Sequence, residues 1–365
     1  MKRPLTALAA ACLLATATAG TTVASGPSFT VVADGFHSPR GLAFGPSGTL
    51  YVAEAGLGDG SGLGFGLTGR VSAVLGATGD HATVATVRDG LPSAGDTEGI
   101  VGPAGISTNG NGNIDVIISL SQQQTGLPSP LVGRLLKLTP SGQGRVLADV
   151  GDFNFAWSAA HQTLAPRDFP DSNPYGVLSV AGGEYVADAG TNTLDWVAAS
   201  GKITVLAYFP NNALADATPT CIAQGPDGAL YVGTLAFVDS LGSILDSALP
   251  APKPAAIVYR VDPAAADPSS LSSVLSLATP FATGLWPITG CAADGTNLYV
   301  SEFLGVGQTG PFSDVVAVPF ADPASQTSLT GGQLALPGGV AVGPDGKVYV
   351  SNMSTSADGQ VVRIN

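Results

Sequence analysis

The chain has 365 residues, a formal net charge of −13 and only 11% charged residues, so its surplus acid is spread thinly. Such a surface repels phosphate backbones and anionic lipid, which excludes nucleic acid as an expected partner. With 49 glycines and 27 prolines the chain is cut by turns throughout, and a strand-rich fold with little helix is expected.

In chain order, Met1-Lys2-Arg3 leads into an apolar run from Leu5 to Ala17 and then Ala17-Thr18-Ala19. A basic start, a short apolar core and a small-x-small exit predict a signal peptide over residues 1–19, cleaved somewhere between 19 and 26. Cys12 sits inside that apolar core, which argues against a lipid anchor there. No other apolar run reaches the ~18 residues of a membrane span, so the mature chain is expected to be secreted, extracellular or periplasmic. One domain is expected over residues 27–365.

The first strand signal, Phe29 to Gly35, belongs to no hairpin of its own. Next comes Gly45-Pro46-Ser47-Gly48-Thr49-Leu50-Tyr51-Val52, a phrase written again at 225–232 and 343–350. Proline presets φ for the second turn position, glycine supplies a positive φ at the fourth, and the following Leu-Tyr-Val reads as a strand. Weaker copies centre on Ile114–Ile118, Glu184–Asp188 and Leu298–Glu302. Six hairpins result, each approached through a proline: Pro39, Pro103, Pro174, Pro219, Pro287 and Pro337. The period is roughly 60 residues against about 40–50 for ordinary propeller blades, so the extra length is assigned to loops. Two further strands follow each hairpin, except in the sixth repeat, which stops at Val361–Ile364 one strand short. The orphan strand at Phe29–Gly35 fills that place, with Phe29 and Val31 as its buried side chains. The predicted fold is all-β, a six-bladed β-propeller whose ring is closed by the N-terminal strand pairing into the C-terminal blade.

In such a blade the 1→2 and 3→4 turns lie on one face, and here they are mostly short. The 2→3 loops and 4→1 crossovers lie on the other face around the axis, and these are long. Long loops on a rigid scaffold are where binding usually resides. The insert from Thr234 to Pro254 spaces Leu241, Ile244, Leu245 and Leu249 helically and is read as one or two helical turns packed on the rim.

Polar residues recur on that face. Glu54, Asp188, Glu302 and Asn352 end strand two of four repeats; Arg40, Asn173, Tyr175, Thr220 and Trp286 start strand one. A ring of such groups could orient a small polar ligand, and Glu54, Asp188 and Glu302 are the candidate oxygen ligands for a divalent cation, calcium first. The competing reading is that each acid caps its own loop amides, as in Ala187-Asp188-Ala189-Gly190-Thr191. His37 is the candidate base; His161 lies in a crossover and His81 on the opposite face. No Ser/His/Asp spacing, Cys/His cluster or phosphate loop is found. Cys221 and Cys291 fall on inner strands of neighbouring repeats, two positions apart by the Leu-Tyr-Val alignment, so that their side chains point the same way. A disulfide and two buried thiols both stay open.

Several phrases resemble a known family. Ser38-Pro39-Arg40-Gly41-Leu42-Ala43-Phe44 with Val52-Ala53-Glu54-Ala55-Gly56, and Asp171-Ser172-Asn173-Pro174-Tyr175-Gly176 with Val186-Ala187-Asp188-Ala189-Gly190, look like the ScyD/ScyE family, named for a scytonemin biosynthesis cluster. The resemblance covers nearly all of the mature chain and departs after Gly233 and around Trp157–Arg167. It implies an exported propeller related to NHL-type repeats and brings no established reaction. The expectation is a monomeric binding or scaffold protein holding a small polar ligand or a protein partner. The alternative is a metal-assisted hydrolase or lyase of the lactonase type.

Overall fold

A computed structural model of the protein describes residues 28–96, 99–211, 216–307 and 310–365. The expected signal peptide lies outside them. No helix among the described residues is long and apolar enough to cross a membrane.

Six antiparallel sheets form six blades, numbered from the first hairpin, each with strand one innermost. Blade 1 runs Pro39–Phe44, Leu50–Glu54, Gly64–Leu75 and Thr83–Gly95, with a short fifth strand Ile100–Val101. Blades 2 to 5 start at the inner strands Pro103–Thr108, Pro174–Val180, Pro219–Gln224 and Ile288–Ala293. Blade 6 is Val340–Val342, Val348–Asn352, Gly359–Ile364 and, outermost, Phe29–Phe36. The ring is therefore closed as the strand count required. Phe29 pairs with Ile364, Val31 with Val362 and Phe36 with Gly359, with bulges between. Of the two side chains expected buried, Phe29 is partly buried beside Val362 and Ile364 and Val31, on the outermost strand, is 44% exposed; past the bulges, Phe36 is fully buried against blade 1 residues such as Leu42 and Val74.

Because side chains alternate across a strand, each sheet is apolar on both faces, and the core is a set of six layers between blades. In blade 2, Ile114, Val116 and Ile118 face blade 1 while Ile117 faces blade 3. The same division recurs around the ring.

The axis is closed by small residues. A side chain at Gly41 would stand 2.8 Å from the carbonyl oxygen of Ala104, and one at Gly339 2.6 Å from that of Arg40, so neighbouring inner strands nearly touch. Blade 4 has Cys221 at the equivalent place, and there a disulfide to Cys291 spans the seam to blade 5, with Cα atoms 5.6 Å apart. The alignment by the Leu-Tyr-Val strands had put both side chains on the same side. The hydrogen-bond ladders correct this: Cys221 lies opposite Gly233 and Cys291 opposite Val300, an offset of one because the two turns differ in length. One position is half the strand period, so the side chains face each other across the seam.

Helix is scarce and sits mainly in the loops of one face. α1 (Gln122–Thr125) lies in the 2→3 loop of blade 2 and α2 (Val150–Ala160) in the crossover to blade 3. α3 (Phe237–Leu245) is the expected helix of the long insert, broken at Gly242, with Leu241 buried and Phe237 near Phe303 of blade 5. The opposite face is not uniformly short: α4 (Leu271–Ser276) occupies the 3→4 connection of blade 4 and packs Val274 against Val205 and Tyr208 of blade 3. Two 2→3 segments expected as loops are partly strand. Gly64–Gly66 pairs with Ser93–Gly95, and strand two of blade 5 runs on to Gly307.

Candidate functional site at the loop-rich rim

Strand-two ends carry the polar residues because the chain there leaves the sheet, and its neighbours' backbone groups need partners. Glu54 is fully buried. It accepts from the His37 backbone N–H at 2.7 Å, from Ser72 Oγ at 2.5 Å, and from Arg70 at 2.8 Å and 2.7 Å. Asp188 Oδ1 accepts the amides of Asn173, Gly190 and Thr191, and its Oδ2 accepts Ser172 Oγ and Asn154 Nδ2. Glu302 accepts the Trp286 amide at 2.9 Å, and Asn352 Oδ1 accepts the Ala335 amide at 2.8 Å. The four form one repeated device: the end of strand two grips the backbone that enters strand one of the same blade. Glu54, Asp188 and Glu302 thus each turn to their own blade, the capping arrangement weighed above. Among the described residues no three His, Cys, Asp or Glu side chains gather as a metal centre.

Burial sets the charge of some of these groups. Glu302 is pushed up to about 7, first by burial and then by the nearby Asp314 carboxylate, against the pull of the Trp286 amide. Asp195, fully buried beside Asp188, is pushed up to about 8 by burial. Asp171 is raised for the same reason, although Gln124 donates to it.

The strand-one starts divide. Arg40 and Tyr175 are brought together: Arg40 reaches over blade 2 towards the Tyr175 hydroxyl at 3.5 Å and donates to the Ile100 carbonyl at 2.7 Å. Both line an axial cavity of about 50 Å3, which also touches Thr220 and both cysteines. Among the described residues Arg40 has no carboxylate partner. Asn173 faces blade 2, where its Oδ1 accepts the Leu120 amide. Thr220 gives its hydroxyl to the Ile288 carbonyl across the disulfide seam. Trp286 contributes its amide; its ring makes no aromatic contact among the described residues. The His37 ring is half-buried and has no hydrogen-bond partner among the described residues. His161 stacks on Trp157 and bonds its carbonyl oxygen, while His81 is exposed.

The Asp171-Ser172-Asn173 phrase is local cement. Asp171 takes Gln124 and its neighbour's amide, Ser172 bonds Asp188, and Asn173 holds the blade 2 loop. Sequence reading missed Asn154, Asp195, Arg70 and Asp314. Asp195 was visible in principle, since a lone acid inside Leu194-Asp195-Trp196-Val197 has to face a core.

No protein-family model and no curated protein sequence matches the chain. In structure it is similar to a glucose dehydrogenase, with TM-score 0.54 and 13% identity, covering 93% of this chain and 99% of that one. It is also similar to a gluconolactonase from Xanthomonas campestris, with TM-score 0.51 and 11% identity, covering 92% and 89%. A protein of unknown function from Bacteroides thetaiotaomicron gives TM-score 0.55 and 11% identity over 93% and 73%. At such identities the likeness is one of fold: the chain is a six-bladed β-propeller, similar in architecture to these neighbours.

Proposed function

We propose that the chain is an exported binding or scaffold propeller that docks a protein partner on its loop-rich rim. The observation that carries this reading is how the polar residues of the rim are used. Glu54, Asp188, Glu302 and Asn352 each accept a backbone amide of their own blade, and Glu54 and Asp188 bond neighbouring side chains as well, so the four work within their blades and do not converge on the axis. The axial cavity of about 50 Å3 admits little more than water. Small-molecule pockets usually measure roughly 300–1,000 Å3, so a small polar ligand at the axis is the weaker form of the proposal. The growth of α1, α2, α3 and the long hairpins on one face supplies a broad irregular surface instead. The ScyD/ScyE resemblance supports export and supplies no competing reaction.

A second reading, a metal-assisted hydrolase or lyase, draws on the fold likeness to gluconolactonase and on the His37 ring, which has no hydrogen-bond partner among the described residues. A panel of lactones, esters and glycosides, assayed with and without Ca, Mg, Mn and Zn, separates the two. The docking proposal expects no turnover. Enzyme-like rates abolished by His37→Ala would replace it with the second reading.

A further inference from the structure

The polar side chains around the axial cavity divide by whether their hydrogen bonds are already spent. Thr220 gives its hydroxyl to the Ile288 carbonyl at 2.7 Å, and Thr289 gives its own to the Pro337 carbonyl at 2.8 Å. Both are thereby tied into seams between blades. Cys221 and Cys291 are consumed by their disulfide. Arg40 and Tyr175 are left over, and they stand together, with Arg40 Nη1 3.5 Å from the Tyr175 hydroxyl. Of the residues that line the cavity, Arg40 alone carries charge.

A guanidinium presents a flat fork of N–H donors and is always charged. Half-buried Arg40 commits one donor to the Ile100 carbonyl and turns another to Tyr175, and both of these partners are neutral. No carboxylate meets it among the described residues, although the chain carries 27 acids against 14 bases. By contrast Arg70, Lys137 and Arg260 each have a carboxylate oxygen within 2.8 Å. The Tyr175 hydroxyl receives from Arg40, and its own proton has no acceptor among the described residues. Unspent donors therefore converge from blades 1 and 3 on the cavity. Its volume of about 50 Å3 is too small for a whole metabolite, but one water needs only about 10–15 Å3, so a group of about three heavy atoms fits.

We propose that Arg40 and Tyr175 form a socket for a single carboxylate, presented by an acidic side chain or chain end of the docked partner; the partner form rests on the docking reading above. A flat carboxylate accepts two parallel N–H bonds from one guanidinium fork and a further bond from a hydroxyl. Phosphate is the poorer match, being bulkier and more highly charged beside an acidic surface. That same surface repels an acidic tract, so the partner is expected to offer one acid and not a run of them. Arg40 opens strand one on the loop-rich face, so an incoming acid reaches it without crossing the ring.

The test uses the whole mature protein, with sodium acetate as the probe and sodium chloride at equal ionic strength as the reference. The Nε–H resonance of Arg40, identified by its loss in Arg40→Gln, should shift with acetate and saturate with a dissociation constant of about 1–10 mM. Acetamide, which lacks the charge, should not move it, and phosphate should bind more weakly than acetate. At about 100 mM acetate the parent should gain about 2–4 °C in melting temperature beyond what Arg40→Gln gains. Tyr175→Phe should weaken acetate binding about fivefold. N-acetylglycine mimics a chain end and the α-amide of N-acetylglutamate an acidic side chain. Each should bind at least as tightly as acetate, and the tighter names the source. Acetate binding with both of these shut out overturns the partner form and makes a free small acid the ligand. The socket itself is overturned if the Arg40 resonance stays still, or if Arg40→Gln gains as much from acetate as the parent. If Arg40→Gln does not fold, the effect of Tyr175→Phe on acetate binding decides. Failure of the socket leaves the docking reading standing when the lactone and ester panel shows no turnover, whereas turnover sinks that reading whatever acetate does.

Discussion

Blades 1 and 5 put the same residue at the same place and give it opposite company. Glu54 and Glu302 are each the last strand-two residue paired with strand one, both are buried, and both accept the amide that enters strand one, from His37 and Trp286. Across the ladder, Glu54 meets Arg70 and Glu302 meets Asp314. Asp314 is itself occupied, accepting from Ser328 and Thr330. Blade 6 does the same work with the neutral Asn352. The fold therefore asks for an acceptor at this point and is indifferent to its charge; the charge is settled by whichever residue strand three brings alongside.

The harshest way to break the blade 1 side is to remove residues 28–35. That strips the outer strand from blade 6 and takes away the Gly35 carbonyl to which Arg70 also donates. Each lost ladder bond is worth about 1 kcal/mol, and the bared edge of Gly359–Ile364 invites association. Aggregation, or a fall in melting temperature larger than any point variant gives, is expected by light scattering and calorimetry. A monomer that melts with the parent would show that the strand does not close the ring.

Glu54→Ala comes next. It leaves Arg70 facing a buried gap, and removing one partner of such a pair costs about 3–5 kcal/mol. Urea unfolding should show this, with Glu54→Gln costing less because its carbonyl still serves the His37 amide. Equal losses in the two variants would mean that charge, rather than the acceptor, is what blade 1 needs.

The smallest effect is the most specific to blade 5. Glu302 rises on folding from the ordinary 4.5 to about 7. An acid raised in this way binds its proton more tightly in the native state. Its contribution is complete below the unfolded value and is lost as pH climbs through about 7. Glu302→Gln keeps the acceptor and cannot ionise, so it should gain on the parent between pH 5 and pH 8 by at most about 3 kcal/mol. Urea midpoints at the two pH values measure it, and a constant gap would show that Asp314 and burial are not felt.

Much of this fold could be read from residue order, because its signals are local. A Gly-Pro-Asp-Gly turn followed by Leu-Tyr-Val needs no distant contact to be recognised, and the orphan strand at Phe29 had one vacancy to fill. Helix α2 was hidden for the opposite reason. Its buried face holds Asn154 and Ser158, so the apolar spacing that marks a helix is missing. The polar residues at the strand-two ends could be read either as a ring or as caps of their own loops, and each bonds amides of its own blade. Repeat equivalence placed them alike in each blade, and only the packed structure showed that each turns to its own blade's backbone.

By itself, then, the sequence determined the repeat, the six blades, the closing strand and the face that grows. Each of these follows from turn chemistry and strand alternation within a few residues. Only the tertiary structure decided what the polar residues do. Whether Glu54 meets Arg70, whether Cys221 and Cys291 face each other, and whether Asn154 drops between Asp188 and Asp195 depend on ladder register and on packing between blades. A shift of one residue in register reverses a side chain, and no local pattern records that shift.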